Sequence, residues 1–505
     1  LILFFNNLSH SQVKDVLFAL PPQNVHFHGF FHNYIDKSIN KWNKGVVPYK
    51  ALVNVQRNGR QFFAQGEMWG KAVRSACMFY RYTGDIALKQ ILDSTVKDML
   101  ATEKSNGSIS CSKIENQPDG PGGDLWERKY VMLGLEEYYT WVNPDSNHIE
   151  SSTILEPIMR LYKMTGYNRY LEFAKYIVEE EGGALGYNII EQALNNTPPH
   201  KMGGPYPKAY EMMSLFEGLI EYYRATGNEK WKKATLNLYN NIRKNEITII
   251  GNGGGDQPYH PAVMGEAWDN TAIEQTNPKI TRMMETCVGV TWIKLCSQLL
   301  RLTGDPEIVD EIEKYLYNGL IGAMKPQGDG FSYVNLLNGI KTNPQGWGAE
   351  VDNVYITCCN LNGPMGLAFI PYIAAMNSIN GPVINLFNSG TIETLSPSGN
   401  PLKINIKTDF PSSNYVKIEV NSKKPEKVNL KLRIPSWSQN TKLTVNGNLM
   451  KVVPGSYFEI DRVWNAKDKI ELFLDMRCRL IDGPVGSNPD SRNFQALIRG
   501  PIVLA

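Results

Sequence analysis

The sequence predicts a multidomain α+β protein: helical hairpins closed into an α/α toroid, followed by an antiparallel β-sandwich. Two observations carry this. Four segments with apolar residues three and four apart all end in Thr-Gly, where glycine can take the left-handed C-cap. After about residue 378 the pattern changes to apolar-polar alternation between Asn, Gly, Pro and Ser turns. A chain of 505 residues is in any case too long for one ordinary core.

The helical segments are EMWGKAVRSACMFYRYTGD (67–85), ILEPIMRLYKMTGYNRY (154–170), YEMMSLFEGLIEYYRATGN (210–228) and VTWIKLCSQLLRLTGD (290–305), each followed by a second helical stretch. Repeated hairpins bury their faces on their neighbours. A ring does so without bare ends, and an open solenoid is the alternative. The expected ring spans 1–378 and the expected sandwich 379–505. The last strand reaches Ala505 without a terminating segment, so further chain is expected beyond it. The start, LILFFNNLS, lacks an initiator methionine and suggests a processed product. Its apolar run is far too short for a membrane span.

Lysine plus arginine number 52 against 50 acidic residues, with no basic block, which argues against nucleic acid as partner. Membrane insertion is likewise not expected. Seven cysteines in no regular framework argue against a disulfide scaffold. Cys77, Cys296 and Cys478 read as packing residues. Glu285 and Cys287 in one stretch, with the vicinal pair Cys358 and Cys359 some seventy residues on, suit a metal site of thiolates and one carboxylate. A reactive vicinal thiol pair and plain packing cysteines are the alternatives from pattern alone. The glycines of NGGGDQPYHP (252–261) lack the lysine and hydroxyl residue of a phosphate loop, so nucleotide binding is rejected.

GEAW (265–268), METC (284–287), FSYVN (331–335), YITCCN (355–360), LRIPSW (432–437), TVNG (444–447) and IRGPIV (498–503) occur in an order that resembles the β-L-arabinofuranosidase family of glycoside hydrolases. The resemblance implies an (α/α)6 barrel with β-sandwich material, a zinc on Glu285, Cys287, Cys358 and Cys359, Cys358 as nucleophile, and Glu266 as general acid/base. It also places Tyr333 near the nucleophile. His260 is a further candidate to reach the site. The implied activity is retaining hydrolysis of an oligosaccharide or glycoside substrate, removing a terminal β-L-arabinofuranose-like or acidic or branched sugar from a plant or algal polysaccharide. Such a substrate source and the missing start lead to the expectation of a periplasmic or secreted protein, a monomer or homodimer. A scaffold with a structural zinc, and an unsaturated-uronyl hydrolase or lyase on a toroid, are the competing functions.

Two glycine-rich lead-ins to helices, GPGGDLWERKY (120–130) and HKMGGPYPKAYE (200–211), offer pocket residues: Asp124, Trp126, Glu127, Arg128, Lys129, Lys208 and Tyr210. Solvated helix starts with capping acids are the plain alternative. The family shows His-Glu-Leu-Tyr and a downstream histidine where this chain has Trp126-Glu127-Arg128-Lys129 and Lys208. Arg128, Lys129 and Lys208 in place of imidazoles lead to the expectation of a cationic pocket that prefers an acidic or unusual sugar.

Overall fold

The computed structural model describes residues 13–60, 65–117, 123–138, 152–180, 182–183, 187–202, 207–254, 266–277, 283–343, 348–422, 425–465, 468–487 and 494–504. Six inner helices form the ring: α1 (Met68–Thr83), α2 (Gly123–Tyr138), α3 (Leu155–Thr165), α4 (Ala209–Thr226), α5 (Thr286–Thr303) and α6 (Cys358–Ala368). Each packs on the next, and α6 packs back on α1, so the ring closes. The open solenoid is thereby excluded.

Burial distinguishes inner from outer helices. Every residue of α4 from Ala209 to Ala225 is buried, because it has neighbours on all sides. The helix after it, Glu229–Asn245, buries only one stripe: Trp231, Ala234, Thr235, Leu238, Tyr239 and Ile242. The hairpin turns follow the Thr-Gly signal. Gly84, Gly166, Gly227 and Gly304 all adopt φ near +70° and close α1, α3, α4 and α5. Any residue with a Cβ would be strained at these four C-caps.

The sandwich joins a seven-stranded sheet to a five-stranded one. It differs from expectation in two ways. The pairing of Gly381–Ile384 with Glu426–Ile434 is parallel within an otherwise antiparallel arrangement. The two sheets also recruit Phe18–Ala19 and Val25–Phe27 from before the ring, and Ala375–Ser378 from before residue 379. Short extended runs with half-apolar faces complete sheet edges whatever their place in the chain. The LRIPSW motif is a docking device: Arg433 lies 2.6 Å and the Trp437 indole nitrogen 2.8 Å from the Glu313 carboxylate of the helical region. Residues Cys478–Asp482, Gln495–Arg499 and Ile502–Leu504 form a separate three-stranded sheet. Among the described residues no helix is long and apolar enough to cross a membrane.

Cys77 and Cys296 are buried as expected, but Cys478 is exposed. It occupies an outward position of an edge strand of the small sheet.

Candidate active site

Two helix N-termini build the cluster. Thr357 caps α6 through a capping box with Asn360: its hydroxyl accepts from the Asn360 amide at 3.1 Å, and the Asn360 side chain accepts from the Thr357 amide at 2.9 Å. Cys358 and Cys359 are thus the first two helical residues. Glu285 is the N-cap residue of α5 without using its carboxylate as a cap, and Cys287 lies in the first turn. Met284 before it has φ of +47°, a left-handed turn held by Asn252 and Asn335, whose amide nitrogens donate to its carbonyl at 3.0 and 3.1 Å. Both helix dipoles therefore aim their positive ends at one group of sulfurs.

The ligand atoms of Glu285, Cys287, Cys358 and Cys359 all lie within 4.8 Å of one another. Cys359 Sγ is 3.5 Å from Glu285 Oε1 and 4.0 Å from Cys358 Sγ. The other Glu285 oxygen is buried with no hydrogen-bond partner. A buried acceptor left open beside three sulfurs is what a metal ion would satisfy. Hydrogen bonds from the Cys287 and Cys359 thiols, helped by Lys71 and Lys208, hold the Cys358 sulfur well below the usual thiol range despite burial. Burial pushes Cys287, Cys359 and Glu285 well up. Cys358 is also the one member of the four that is only partly buried.

Glu266 faces this cluster. Lys208 donates to one of its carboxylate oxygens and the Tyr333 hydroxyl to the other. The backbone sets this up: Pro207–Ala209 and Glu266–Trp268 form an antiparallel bridge, with Ala209 N–H to Glu266 O at 3.0 Å and Trp268 N–H to Pro207 O at 2.8 Å. Burial raises the Glu266 carboxyl; Lys208 opposes that, and the Cys358 thiolate reinforces it.

The remaining candidates divide. Trp126 and Tyr210 belong to a small apolar cluster that also takes in Tyr130 and the site residues Tyr333, Cys287 and Cys359. Glu127 is turned away: it binds the Gly66 amide at 3.0 Å, Arg60 at 3.3 Å and the Cys111 thiol, anchoring two loops. Asp124 anchors Ser110 and pairs with Arg128 at 2.6 Å. Lys129 is wholly buried. Of the three cations expected to line a pocket, Arg128 is engaged by Asp124, Lys208 by Glu266, and Lys129 is enclosed by the core. His260 lies outside the described residues. The sequence analysis did not single out Glu67, Lys71, Tyr130 and Glu211; the one available signal was the four-residue spacing of Glu67 and Lys71 across the start of α1. A cavity of about 920 Å³ lies elsewhere, between the helical region and the small C-terminal sheet.

A closed helical toroid backed by a sandwich, with three cysteines and a carboxylate gathered at the helix N-termini and a second carboxylate clamped by Lys208 and Tyr333, defines an α/α-toroid protein with a candidate metal centre. Comparison with known proteins makes this specific. Residues 146–372 match the model of the β-L-arabinofuranosidase GH127 catalytic domain, and 382–476 match that of the GH127 middle domain. The chain belongs to this glycoside hydrolase family. It is 25% identical over 381 residues to the non-reducing end β-L-arabinofuranosidase of Bifidobacterium longum subsp. longum, covering 68% of this chain. It spans only 55% of that relative's length. Among solved structures, a GH127 β-arabinofuranosidase superposes with TM-score 0.75 at 18% identity, over 98% of this chain and 86% of the other. The GH127 β-L-arabinofuranosidase of Geobacillus stearothermophilus T6 gives 0.72 at 20% identity, over 95% and 86%. At such identities these structures speak for the fold.

Proposed function

We propose that the protein is a retaining glycoside hydrolase that releases a terminal β-L-arabinofuranose-like sugar, with Cys358 as nucleophile and Glu266 as acid/base. The observation that carries the reading is the convergence of Glu285, Cys287, Cys358 and Cys359 on one point beside Glu266. Ligands of a tetrahedral zinc at about 2.3 Å are about 3.8 Å apart, close to the 3.5 and 4.0 Å separations found here. Three sulfurs and one carboxylate also favour zinc over a hard cation. Bound there, zinc would keep the sulfurs deprotonated near neutral pH.

The chain's own residues supply the steps. Cys358 Sγ attacks the anomeric carbon while Glu266 gives its proton to the departing glycosidic oxygen. Burial raises the Glu266 carboxyl against the pull of Lys208, which favours the protonated form that donates. Glu266, now a carboxylate, takes a proton from the water that attacks the same carbon, and the Cys358 sulfur leaves. Two inversions give net retention. Tyr333 and Lys208 fix both carboxylate oxygens through the cycle. The engaged partners of Arg128 and Lys208 remove the reason to expect an acidic sugar. Polysaccharide as substrate source favours a periplasmic or extracellular location, which cell fractionation would check.

The test is turnover of 4-nitrophenyl β-L-arabinofuranoside by wild type and Cys358→Ser, with metal content measured alongside. The expected result is one zinc per chain and a fall in kcat on the order of 10³-fold or more for the variant. Metal-loaded wild type without turnover would instead support a scaffold.

A further inference from the structure

The turn that presents Glu285 is strained and is held by side chains from elsewhere in the chain. Met284 is buried with φ of +47°, a left-handed conformation that a long side chain rarely adopts. Its carbonyl accepts two side-chain amides, from Asn252 at 3.0 Å and from Asn335 at 3.1 Å. The two donors differ in what else they reach. Asn252 belongs to the loop whose next residue, Gly253, accepts the Glu285 backbone N–H at 3.1 Å. Asn335 stands two residues after Tyr333, whose hydroxyl donates to Glu266.

Around Asn335 the two segments are stitched together. Its backbone N–H donates to Met283 O at 2.9 Å, and the Thr286 N–H donates to Tyr333 O at 3.2 Å. The Thr286 hydroxyl donates to Ser332 O at 2.7 Å. With its proton directed there, the Thr286 oxygen can only accept, and the Asn335 side-chain amide donates to it at 2.9 Å. The same nitrogen lies 3.4 Å from Tyr333 O. One buried amide therefore faces acceptors on the residues either side of Glu285 and on Tyr333. Turned over, it would set its oxygen against two carbonyl oxygens, so its orientation is fixed.

We propose that Asn335 is a positioning residue that joins the Glu285 turn to the Tyr333 strand, so that the metal-ligand set and the acid/base keep one fixed spacing. Cys358 and Glu266 must reach neighbouring atoms of one glycosidic bond together, and a small change in spacing misaligns both. Asn335 acts through Glu285 and Tyr333 and is not itself a catalytic residue. The proposal rests on the reading of the cluster as a metal site and of Glu266 as acid/base.

The test makes two measurements on each full-length variant, per folded molecule. One is zinc retained against rising chelator, read by elemental analysis; the other is kcat on an alkyl and on a 2,4-dinitrophenyl arabinoside. Asn335→Asp keeps the size of the side chain and replaces its donors by acceptors. It is expected to release zinc at about tenfold lower chelator and to lower kcat on the alkyl substrate by about 10- to 100-fold, the usual scale for residues that orient a metal ligand. The loss on the dinitrophenyl substrate should be clearly smaller, because a misplaced Glu266 matters most where the leaving group needs a proton. Asn252→Ala removes the other donor to Met284 but no link to Tyr333. It is expected to release zinc early and to lose equally on both substrates. Wild-type zinc retention in Asn335→Asp overturns the proposal. Equal losses on both substrates in that variant overturn it too, since Asn335 would then hold the turn alone, as Asn252 does. If Asn335→Asp does not fold, Asn335→Ser decides: it keeps one donor, both shifts are expected in smaller measure, and the absence of either overturns the proposal. A wild type that binds no zinc, or Glu266→Gln with equal losses on both substrates, overturns the underlying reading and the proposal with it, and is recognised without any Asn335 variant.

Discussion

Two of the buried polar regions in the ring are built on opposite principles. In the interior, Glu156 meets Arg74 at 3.0 Å, Arg160 at 2.9 Å and Lys294 at 3.8 Å, while Lys294 also meets Glu217 at 3.0 Å. Charges of both signs alternate, and the protein compensates itself. At the mouth, Glu285, Cys287, Cys358 and Cys359 all become anions or neutral acids, with no cation among the four. Such a group is stable only neutral, or with a metal and outside cations to balance it. The difference teaches where to look for chemistry: a self-compensated network holds structure, whereas an unbalanced one requires something from outside the chain.

The sharpest way to break the comparison is to strike both sides and read activity and stability separately. Glu266→Gln is expected to lower kcat on an alkyl arabinoside by on the order of 10²- to 10⁴-fold, with a much smaller loss on a 2,4-dinitrophenyl arabinoside and little change in Tm. An equal loss on both substrates would show that Glu266 is not the proton donor. Glu156→Gln strikes the interior. It leaves Arg74 and Lys294 short of a partner, and chemical denaturation should show a loss of about 3–5 kcal/mol, with activity per folded molecule preserved.

A smaller effect separates the two regions by pH. Burial, together with the charge of Lys294, holds the Lys129 ammonium down to about 7. Between that value and the ordinary lysine range the unfolded chain binds a proton that the folded chain does not. Stability should therefore rise as pH goes from 7 to 10 by more in wild type than in Lys129→Met, measured by denaturant midpoint. Identical slopes would mean that Lys129 remains charged in the fold. The smallest expected change is Thr357→Ala, which removes the α6 cap and costs about 1 kcal/mol. It also loosens the start of the helix that carries both vicinal cysteines, so their alkylation by iodoacetamide in the metal-stripped protein should change rate while that of exposed Cys478 stays fixed.

Much of this molecule was legible from local pattern. The four Thr-Gly signals mark real left-handed caps because that backbone conformation is a property of the glycine itself. The alternating stretches after Ala375 are strands because a half-buried sheet imposes a period of two. The cysteine-glutamate set was legible too, since metal-ligand chemistry restricts residue type. What sequence reading got wrong were the partners of charges. Arg128, Lys129 and Lys208 look alike as letters, yet one meets Asp124, one is enclosed by rings and one clamps Glu266.

The linear order of residues by itself determined the helix and strand periods, the caps, the turn glycines and the presence of four metal-capable side chains. Only the folded ring decided that α5 and α6 point their N-termini at one spot, that strands from before the ring complete the sandwich, and that Lys208 and Tyr333 clamp Glu266 between them. Period and cap are set within a few residues of chain, where backbone sterics and side-chain shape suffice. Which charge faces which is set by contacts between segments far apart in sequence, and those exist only once the helices close.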